Sequence, residues 1–189
     1  GCNYCGRLWW MLKWAGHDAV AVLDGGLQAW KAAGFATSAG ANAKNAAAAP
    51  PSAFVMHASL VELLSTEQVA ANLPTRSWTL IDSRSAPRYR GEVEPLDPLA
   101  GHIPGALNRP FTDNFDSNGC FKPAAALREA FAALLPDMPR LRIAVYCGSG
   151  VSAVPNIIAL ELAGYARPAL YAGSWSAWST TPGLPVEKG

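Results

Sequence analysis

The sequence predicts an α/β fold in which a parallel β-sheet carries helices on both of its faces. Two observations lead to this prediction. Short apolar segments at residues 79–82, 143–146 and 169–171 have the length and composition of buried strands. Longer segments with the character of helices lie between them. Strands and helices that alternate along a chain form parallel sheets, and such sheets are covered on both faces.

The segments around these strands complete the alternating order. The further predicted elements are a short strand at residues 54–55, a helix at 59–71, an irregular stretch at 84–110, and helices at 124–135 and 151–163. Ser59 is the predicted N-cap of the first of these helices, and Glu62 is its predicted capping-box partner. Residues 54–189 are therefore predicted to form a complete α/β domain.

An internal repeat predicts that part of a second copy precedes this domain. Matched residues in the two copies are separated by the same number of positions across a helix, a strand and a turn. The matched pairs are Gly16 with Gly164, Gly25 with Gly173, Ala29 with Ala177, and Trp30 with Trp178. Residues 1–36 are therefore predicted to be the C-terminal part of a first copy, with a helix ending at Gly16 and a strand at 19–23.

The segment between the two copies has the composition of a linker. Residues 37–53 are rich in Ala, Gly, Asn, Ser and Pro. The partial first copy is too short to form a whole sheet. We therefore expect its apolar side chains Trp9, Trp10 and Trp14 to be exposed.

Composition and charge exclude several classes of partner. The net charge is +1 and the 15 Lys and Arg residues are scattered, so neither nucleic acid nor an anionic membrane is an expected partner. No run of about 18 apolar residues occurs, and no membrane span is predicted. The N-terminal residues lack the pattern of a secretory leader, so we predict a cytoplasmic location.

The four cysteines do not indicate a disulfide scaffold or a metal centre. Cys2 and Cys5 have the C-x-x-C spacing that occurs in zinc sites and redox sites. No second pair of cysteines or histidines completes a metal site, and no strand precedes the pair as a thioredoxin-like motif requires. We therefore predict neither a bound metal nor a cofactor.

The segment that follows the strand at 143–146 has the features of a catalytic loop. The strand leads into Cys147, Gly148 and Gly150 follow, and a helix begins. Ligands of open α/β sheets bind outside the carboxyl ends of the strands, which is where Cys147 is placed. Glycines let the backbone curl around the sulfur, and N–H groups at a helix start stabilise a thiolate or a bound anion. The alternative is a buried cysteine that packs as a small apolar residue.

Residues 147–153 resemble the active-site loop of the rhodanese superfamily. In its Gly-Ser-Gly-Val form the loop is most similar to that of the tandem-domain thiosulfate and 3-mercaptopyruvate sulfurtransferases. Further blocks that resemble this family are residues 80–84, 101–106 and 171–178. Residues 24–30 resemble the catalytically silent N-terminal domain of the same enzymes. The resemblance implies a rhodanese-like parallel sheet flanked by helices, preceded by a partial, non-catalytic copy of the same fold.

The resemblance also implies a reaction and the residues that carry it. Cys147 would attack the outer sulfur of a donor, hold that sulfur as a persulfide and pass it to a nucleophilic acceptor. Arg88 corresponds to the family arginine that binds the anionic donor. The implied substrate-binding residues are Arg88, Gly148, Ser149, Gly150, Val151 and Ser152. The implied partners are a small anionic sulfur donor and a thiol or cyanide acceptor, with a thioredoxin-like protein as one candidate.

The resemblance leaves the donor open between thiosulfate and 3-mercaptopyruvate. Ser149 stands where the mercaptopyruvate enzymes carry a loop serine. Asp97, however, stands where those enzymes carry a second arginine, and Arg109 is a candidate for the missing positive charge. Other residues of the resembling blocks are expected to support the scaffold: Asp82, Arg84, His102, Trp175 and Trp178.

Three alternatives compete with this function. A cysteine phosphatase needs a Cys-x5-Arg loop, and Ala153 stands at the arginine position, so phosphatase activity is excluded. A non-catalytic rhodanese-like binding or regulatory module would typically have lost the cysteine, which this chain keeps. A fragment that is inactive because it lacks its first domain is the third alternative.

Overall fold

The computed structural model of the chain describes residues 2–40, 53–135 and 142–189. The helices are α1 (Asn3–Trp14), α2 (Gly26–Ala32), α3 (Thr66–Thr75), α4 (Ala86–Tyr89), α5 (Ala124–Leu134), α6 (Val154–Leu162) and α7 (Ser174–Thr180). The strands are β1 (Thr79–Asp82), β2 (Leu107–Asn108), β3 (Ile143–Tyr146) and β4 (Ala169–Leu170), and a 3-10 helix spans Phe111–Asn114. No helix in these described ranges is long and apolar enough to cross a membrane.

The four strands that the structure describes form one parallel sheet in the order β2-β1-β3-β4. β1 and β3 lie at its centre and have the predicted bounds, with Thr79 opposite Ile143 and Asp82 opposite Tyr146. All four strands run in the same direction, so their carboxyl ends share one edge of the sheet. That edge carries the residues that follow Asp82 and Tyr146.

Helices cover both faces of the sheet, because successive side chains of each strand point to opposite faces. Ile81 and Val145 are buried in one core cluster with residues of α1, α5 and α6. Leu80 and Ala144 are buried in a second cluster with residues of α3 and α7. This arrangement confirms the predicted α/β class with a parallel sheet between two helical layers.

Helix α1 packs against α6, and this contact overturns the expectation of exposed tryptophans. Trp9 and Trp10 are 9% and 5% exposed and belong to the core cluster that contains α6, whereas Trp14 is 42% exposed. The expectation was wrong for two of the three residues because a single helix can bury its apolar side on α6 without a sheet of its own.

The predicted strand at residues 19–23 is wrong, since this segment has no regular structure. A strand is stable only beside another strand, and none of the described strands pairs with it. Val20 and Val22 instead pack against the core cluster that contains α1 and α6. The helix that follows, α2, occupies the positions that match α7 in the internal repeat. Most of the predicted linker, residues 41–52, lies outside the described residues.

The segment before α3 pairs with the sheet, and two predictions for it are wrong. Residues 54–55 form no strand, and the helix predicted from 59 begins only at Thr66. The N–H of Leu64 donates to the carbonyl of Leu170, and the N–H of Leu170 donates to the carbonyl of Glu62, both at 2.9 Å. These hydrogen bonds keep residues 62–64 in an extended conformation, so a helix cannot include them.

The N-cap of α3 is therefore Ser65 and not Ser59. The Ser65 hydroxyl accepts a hydrogen bond from the N–H of Gln68, and the Gln68 side chain accepts one from the N–H of Ser65 at 2.8 Å. This reciprocal pair is a capping box. The helix also continues beyond the predicted end at 71, and its last turn contains Pro74.

Two segments near the carboxyl edge of the sheet differ from the predictions. Residues 84–110 were expected to be irregular, but they contain α4 and β2, and β2 is a short edge strand beside β1. Helix α6 begins at Val154 and not at 151. Gly150, whose φ of +76° lies in the left-handed region, belongs to the loop before this helix.

Candidate active site

Cys147 directly follows β3 at the carboxyl edge of the sheet, as predicted. Its N–H donates a hydrogen bond to Oγ of Ser174 at 3.1 Å, and its carbonyl accepts one from the N–H of Trp175 at 3.0 Å. The residue is 2% exposed and belongs to the core cluster that contains α5 and α6. Both backbone groups of Cys147 are therefore fixed by the start of α7, and the cysteine is held as part of a rigid scaffold.

The loop from 148 to 153 connects Cys147 to α6. In the part of the chain that the structure describes, the N–H groups of these six residues donate no hydrogen bond to a protein acceptor. Buried or half-buried N–H groups normally find an acceptor, so a cluster without one suits a bound anion. The loop thus has the property that the sequence predicted for it, although it stands before the helix and not in its first turn.

Two glycines shape the loop in different ways. Gly150 has a φ of +76°, and a Cβ atom at this position would overlap the carbonyl oxygen of Ala172. Gly148 leaves space for Arg88, since a Cβ atom built on Gly148 would lie 3.3 Å from Nη1 of that arginine. Ser149 between them is exposed, and Val151 and Ser152 are half-buried. The predicted loop residues and Arg88 are therefore brought together.

Arg88 lies on α4, and its guanidinium is held by two carboxylates. Nε and Nη2 donate to the two carboxylate oxygens of Glu94 at 3.2 and 2.6 Å, and Nη2 also donates to Asp97 at 3.2 Å. Nη1 faces Gly148, and it donates no hydrogen bond to any residue that the structure describes. One edge of the guanidinium is thus fixed by the protein, while the other is directed to the Cys147 loop.

Glu94 joins Arg88 to a second, fully buried ion pair. Arg84 donates to Glu94 at 3.1 Å through Nη1 and to Asp82 at 2.6 Å through Nη2. Burial alone would raise the pKa of Glu94, but hydrogen bonds from Arg88 and from backbone N–H groups lower it below its ordinary value. Burial alone would lower the pKa of Arg84, but its hydrogen bonds to Asp82 raise that pKa above its ordinary value. Glu94 and Arg84 are therefore both charged at neutral pH.

The other residues expected to be structural occupy buried positions. The ring of His102 stacks on Tyr89 at 3.7 Å between centroids, and Nδ1 of His102 lies 2.8 Å from the Tyr89 carbonyl oxygen. Trp175 is fully buried beneath the guanidinium of Arg84. The Arg109 guanidinium is hydrogen-bonded to the side chain of Asn114 and lies over the Phe131 ring, and it forms no ion pair with the described residues around Arg88.

Two residues of the site were missed by the sequence reasoning. Ser174 fixes Cys147 through its hydroxyl and has a positive φ of 54°, which is uncommon for a residue other than glycine. Its place directly after a strand and a glycine at the active edge was the available signal. Glu94 carried no such signal, because its role depends on two arginines that only the fold brings together.

The C-x-x-C pair lies at the start of α1, where Cys2 is near Val154, the first residue of α6. Its two sulfur atoms are 3.4 Å apart, with Cys2 buried and Cys5 exposed. Burial, followed by the hydrogen bond with Cys5, raises the pKa of Cys2 to about 12, so this thiol stays protonated at neutral pH. Within the described ranges, no group of three or more potential metal ligands is found.

A comparison with protein families matches residues 65–181 to the rhodanese-like domain. The chain belongs to the rhodanese-like family. The match begins at the N-cap of α3 and ends after α7, so it includes the sheet, the Cys147 loop and Arg88.

Curated relatives of this rhodanese-like chain carry sulfurtransferase names. A Pseudomonas aeruginosa protein named "Probable 3-mercaptopyruvate sulfurtransferase" is 46% identical over 187 residues, which are 98% of this chain and 64% of that protein. The human "3-mercaptopyruvate sulfurtransferase" is 36% identical and covers 91% of this chain and 57% of its own length. "Thiosulfate/3-mercaptopyruvate sulfurtransferase 2" of Arabidopsis thaliana is 35% identical, and the match covers 95% of this chain and 58% of that protein. The chain spans less than two thirds of each of these relatives.

Solved structures show the same rhodanese-like architecture. The anaerobic ergothioneine biosynthesis enzyme from Chlorobium limicola, in complex with trimethyl histidine, matches with a TM-score of 0.81 at 27% identity. A structure of EanB with ergothioneine covalently linked to a persulfide cysteine matches with a TM-score of 0.82 at 26% identity. Each match covers 97% of this chain and 45% of the other chain. The rhodanese-like fold predicted from the sequence is thereby confirmed.

Proposed function

We propose that this chain is the catalytic part of a sulfurtransferase that works through a persulfide on Cys147. It would move a sulfane sulfur from thiosulfate or 3-mercaptopyruvate to a thiophilic acceptor. The observation that carries the proposal is the position of Cys147 before a loop whose N–H groups bond to no acceptor among the described residues and can bind an anion. The names of the Pseudomonas, human and Arabidopsis relatives support the same chemistry.

The first half-reaction transfers sulfur from the donor to Cys147. The thiolate attacks the outer sulfur of thiosulfate, the S–S bond breaks, and sulfite leaves with the bonding electron pair. With 3-mercaptopyruvate the C–S bond breaks instead, and the pyruvate enolate that leaves takes up the thiol proton to become pyruvate. In both cases Cys147 ends as an anionic persulfide. The N–H groups of residues 148–153 would stabilise the negative charge of the thiolate and of the persulfide.

The second half-reaction regenerates the enzyme. A thiolate or cyanide attacks the outer sulfur of the persulfide, the S–S bond breaks, and Cys147 recovers its electron pair. The acceptor leaves as a persulfide or as thiocyanate. Because the donor product departs before the acceptor reacts, ping-pong kinetics are expected.

Arg88 and the loop would both contact the donor. Nη1 of Arg88 faces Gly148 and can donate to the anionic group of a donor whose sulfur lies at Cys147. Ser149 is exposed at the mouth of the loop, where its hydroxyl can donate to a carbonyl or a carboxylate. Gly148, Gly150, Val151 and Ser152 contribute backbone groups.

Three finer proposals rest chiefly on the sequence. Residues 1–36 would be the end of a non-catalytic domain, 37–53 a linker and 54–189 the catalytic domain. The matching positions of α2 and α7 support this division. A thioredoxin-like protein would be the thiol acceptor, and the cytoplasm the location.

Intact-mass spectrometry tests the proposed function. The protein is incubated with thiosulfate, or separately with 3-mercaptopyruvate, freed of donor and weighed. The wild type should gain the mass of one sulfur atom, and Cys147→Ser should gain nothing. Cys5→Ser is the matched control, because Cys5 is the exposed cysteine most open to unspecific reaction. Failure of folded wild type to gain sulfur from either donor would leave a binding module or an inactive fragment.

A further inference from the structure

The charged network beside the Cys147 loop carries more negative than positive charge. Its members are the carboxylates of Asp82, Glu94 and Asp97 and the guanidiniums of Arg84 and Arg88. Four of these side chains are at most 7% exposed and that of Arg88 is 17% exposed, so solvent screens them weakly. Three carboxylates and two guanidiniums leave one net negative charge.

The excess negative charge falls at the donor-binding end of the network. Arg84 and Asp82 satisfy each other deep in the core. Arg88, the member that contacts the loop, faces both Glu94 and Asp97. Its Nη1 can still donate to one anionic group, because the carboxylates occupy only Nε and Nη2. A second negative charge on the donor would find no unpaired positive charge among these residues.

We propose that Asp97 is a specificity-determining residue that makes the site prefer a sulfur donor with a single negative charge over a dianion. At neutral pH 3-mercaptopyruvate carries one carboxylate charge, whereas thiosulfate carries two charges. The inference rests on the proposed sulfurtransferase function and names the donor class for that same site.

Asp97 is the member of the network whose charge can be removed with least disturbance. Glu94 bonds to Arg84 and to Arg88, so its replacement would also remove a hydrogen bond from the buried Arg84 guanidinium. Among the residues that the structure describes, the Asp97 side chain forms a hydrogen bond only with Arg88, through Nη2. In Asp97→Asn the amide oxygen can keep that hydrogen bond while the negative charge is lost. Glu92→Gln is the matched control, since Glu92 forms an exposed pair with Arg90 on the same segment.

The test compares kcat/KM for persulfide formation with thiosulfate and with 3-mercaptopyruvate, at low ionic strength. At an effective dielectric constant of about 20, a unit charge roughly 10 Å away changes the affinity for a donor roughly tenfold for each unit charge on that donor. Asp97→Asn should therefore raise the thiosulfate to 3-mercaptopyruvate ratio by roughly tenfold, and Glu92→Gln should leave it unchanged. A merely structural role of Asp97 would lower both values and leave their ratio alone.

The wild type supplies a second measurement that does not depend on the variant folding. A dianion that approaches the site through solvent is repelled by the network, and added potassium chloride screens this approach, so the same kcat/KM ratio should rise with salt. The inference would be overturned by a thiosulfate to 3-mercaptopyruvate ratio that is the same in Asp97→Asn as in wild type, or that does not change with salt in wild type. The sulfurtransferase function would stand in either case. Absence of persulfide from wild type with both donors would overturn the proposed function and this inference with it.

Discussion

Replacing Gly150 with alanine perturbs the Cys147 loop where the backbone angle and the surrounding space both require glycine. The φ of +76° lies in the left-handed region, and the added Cβ would overlap the Ala172 carbonyl oxygen and lie 3.0 Å from the Ala172 Cα. Backbone atoms cannot rotate away as a side chain does. The loop must therefore move relative to the segment that follows β4.

The expected cost has two parts. Alanine in the left-handed region costs about 1–2 kcal/mol. The overlap with Ala172 adds about 1–3 kcal/mol, which is the usual cost of overpacking in a buried site. Gly119→Ala is a matched control, since Gly119 has a φ of +79° but open space around its Cβ position. Only the first part of the cost applies to the control.

Urea unfolding and the rate of persulfide formation are the two assays. Gly119→Ala should lose about 1–2 kcal/mol of unfolding free energy and react at the wild-type rate. Gly150→Ala should lose about 2–5 kcal/mol and react about 100-fold more slowly, because misplacement of a reacting group by about 1 Å has that effect. Equal stability of the two variants together with a wild-type rate in Gly150→Ala would refute the role assigned to the loop.

Three further predictions concern the support of the site. Ser174→Ala leaves the buried N–H of Cys147 without its acceptor and should lower the unfolding free energy by about 1–3 kcal/mol in thermal denaturation; an unchanged melting temperature would contradict this. Because the pKa of Glu94 is lowered in the folded protein, its ionised carboxylate stabilises the fold at pH values above its ordinary pKa of 4.5. This stabilisation is lost as the pH falls through the lowered pKa. The stability difference between wild type and Glu94→Gln should therefore shrink in acid, and a difference independent of pH would exclude this linkage. Trp10→Ala should lower the unfolding free energy by about 3–5 kcal/mol and Trp14→Ala clearly less, because Trp10 is buried against the domain and Trp14 is exposed; equal losses would argue against the docking of α1.

The central strands and the position of Cys147 at their carboxyl edge could be predicted from the sequence because the local pattern determines them. The strand at 143–146 is continuously apolar and ends at Cys147, so its burial, direction and active end follow together. The pairing of residues 62–64 with Leu170 could not be predicted in this way. It depends on a neighbour distant in sequence, and the local pattern around Ser59 favoured a helix.

The electrostatics of the site were less predictable than its backbone. Arg88 was identified through a motif, but its two carboxylate partners approach it only because α4 and the following loop fold back on each other. The sequence marked Asp97 as a departure from the family pattern and did not show what the aspartate binds. The structure supplies that contact, and with it a physical reason for a preference between donors.

The measurement that tests the account most directly locates the transferred sulfur in the chain. Wild-type protein is treated with 3-mercaptopyruvate, alkylated, digested and mapped by peptide mass, with the Cys2, Cys5 and Cys120 peptides as internal references. The account predicts one additional sulfur on the peptide that contains Cys147 and none on the reference peptides. Sulfur found only on the reference peptides, or on no peptide of the folded protein, would contradict it.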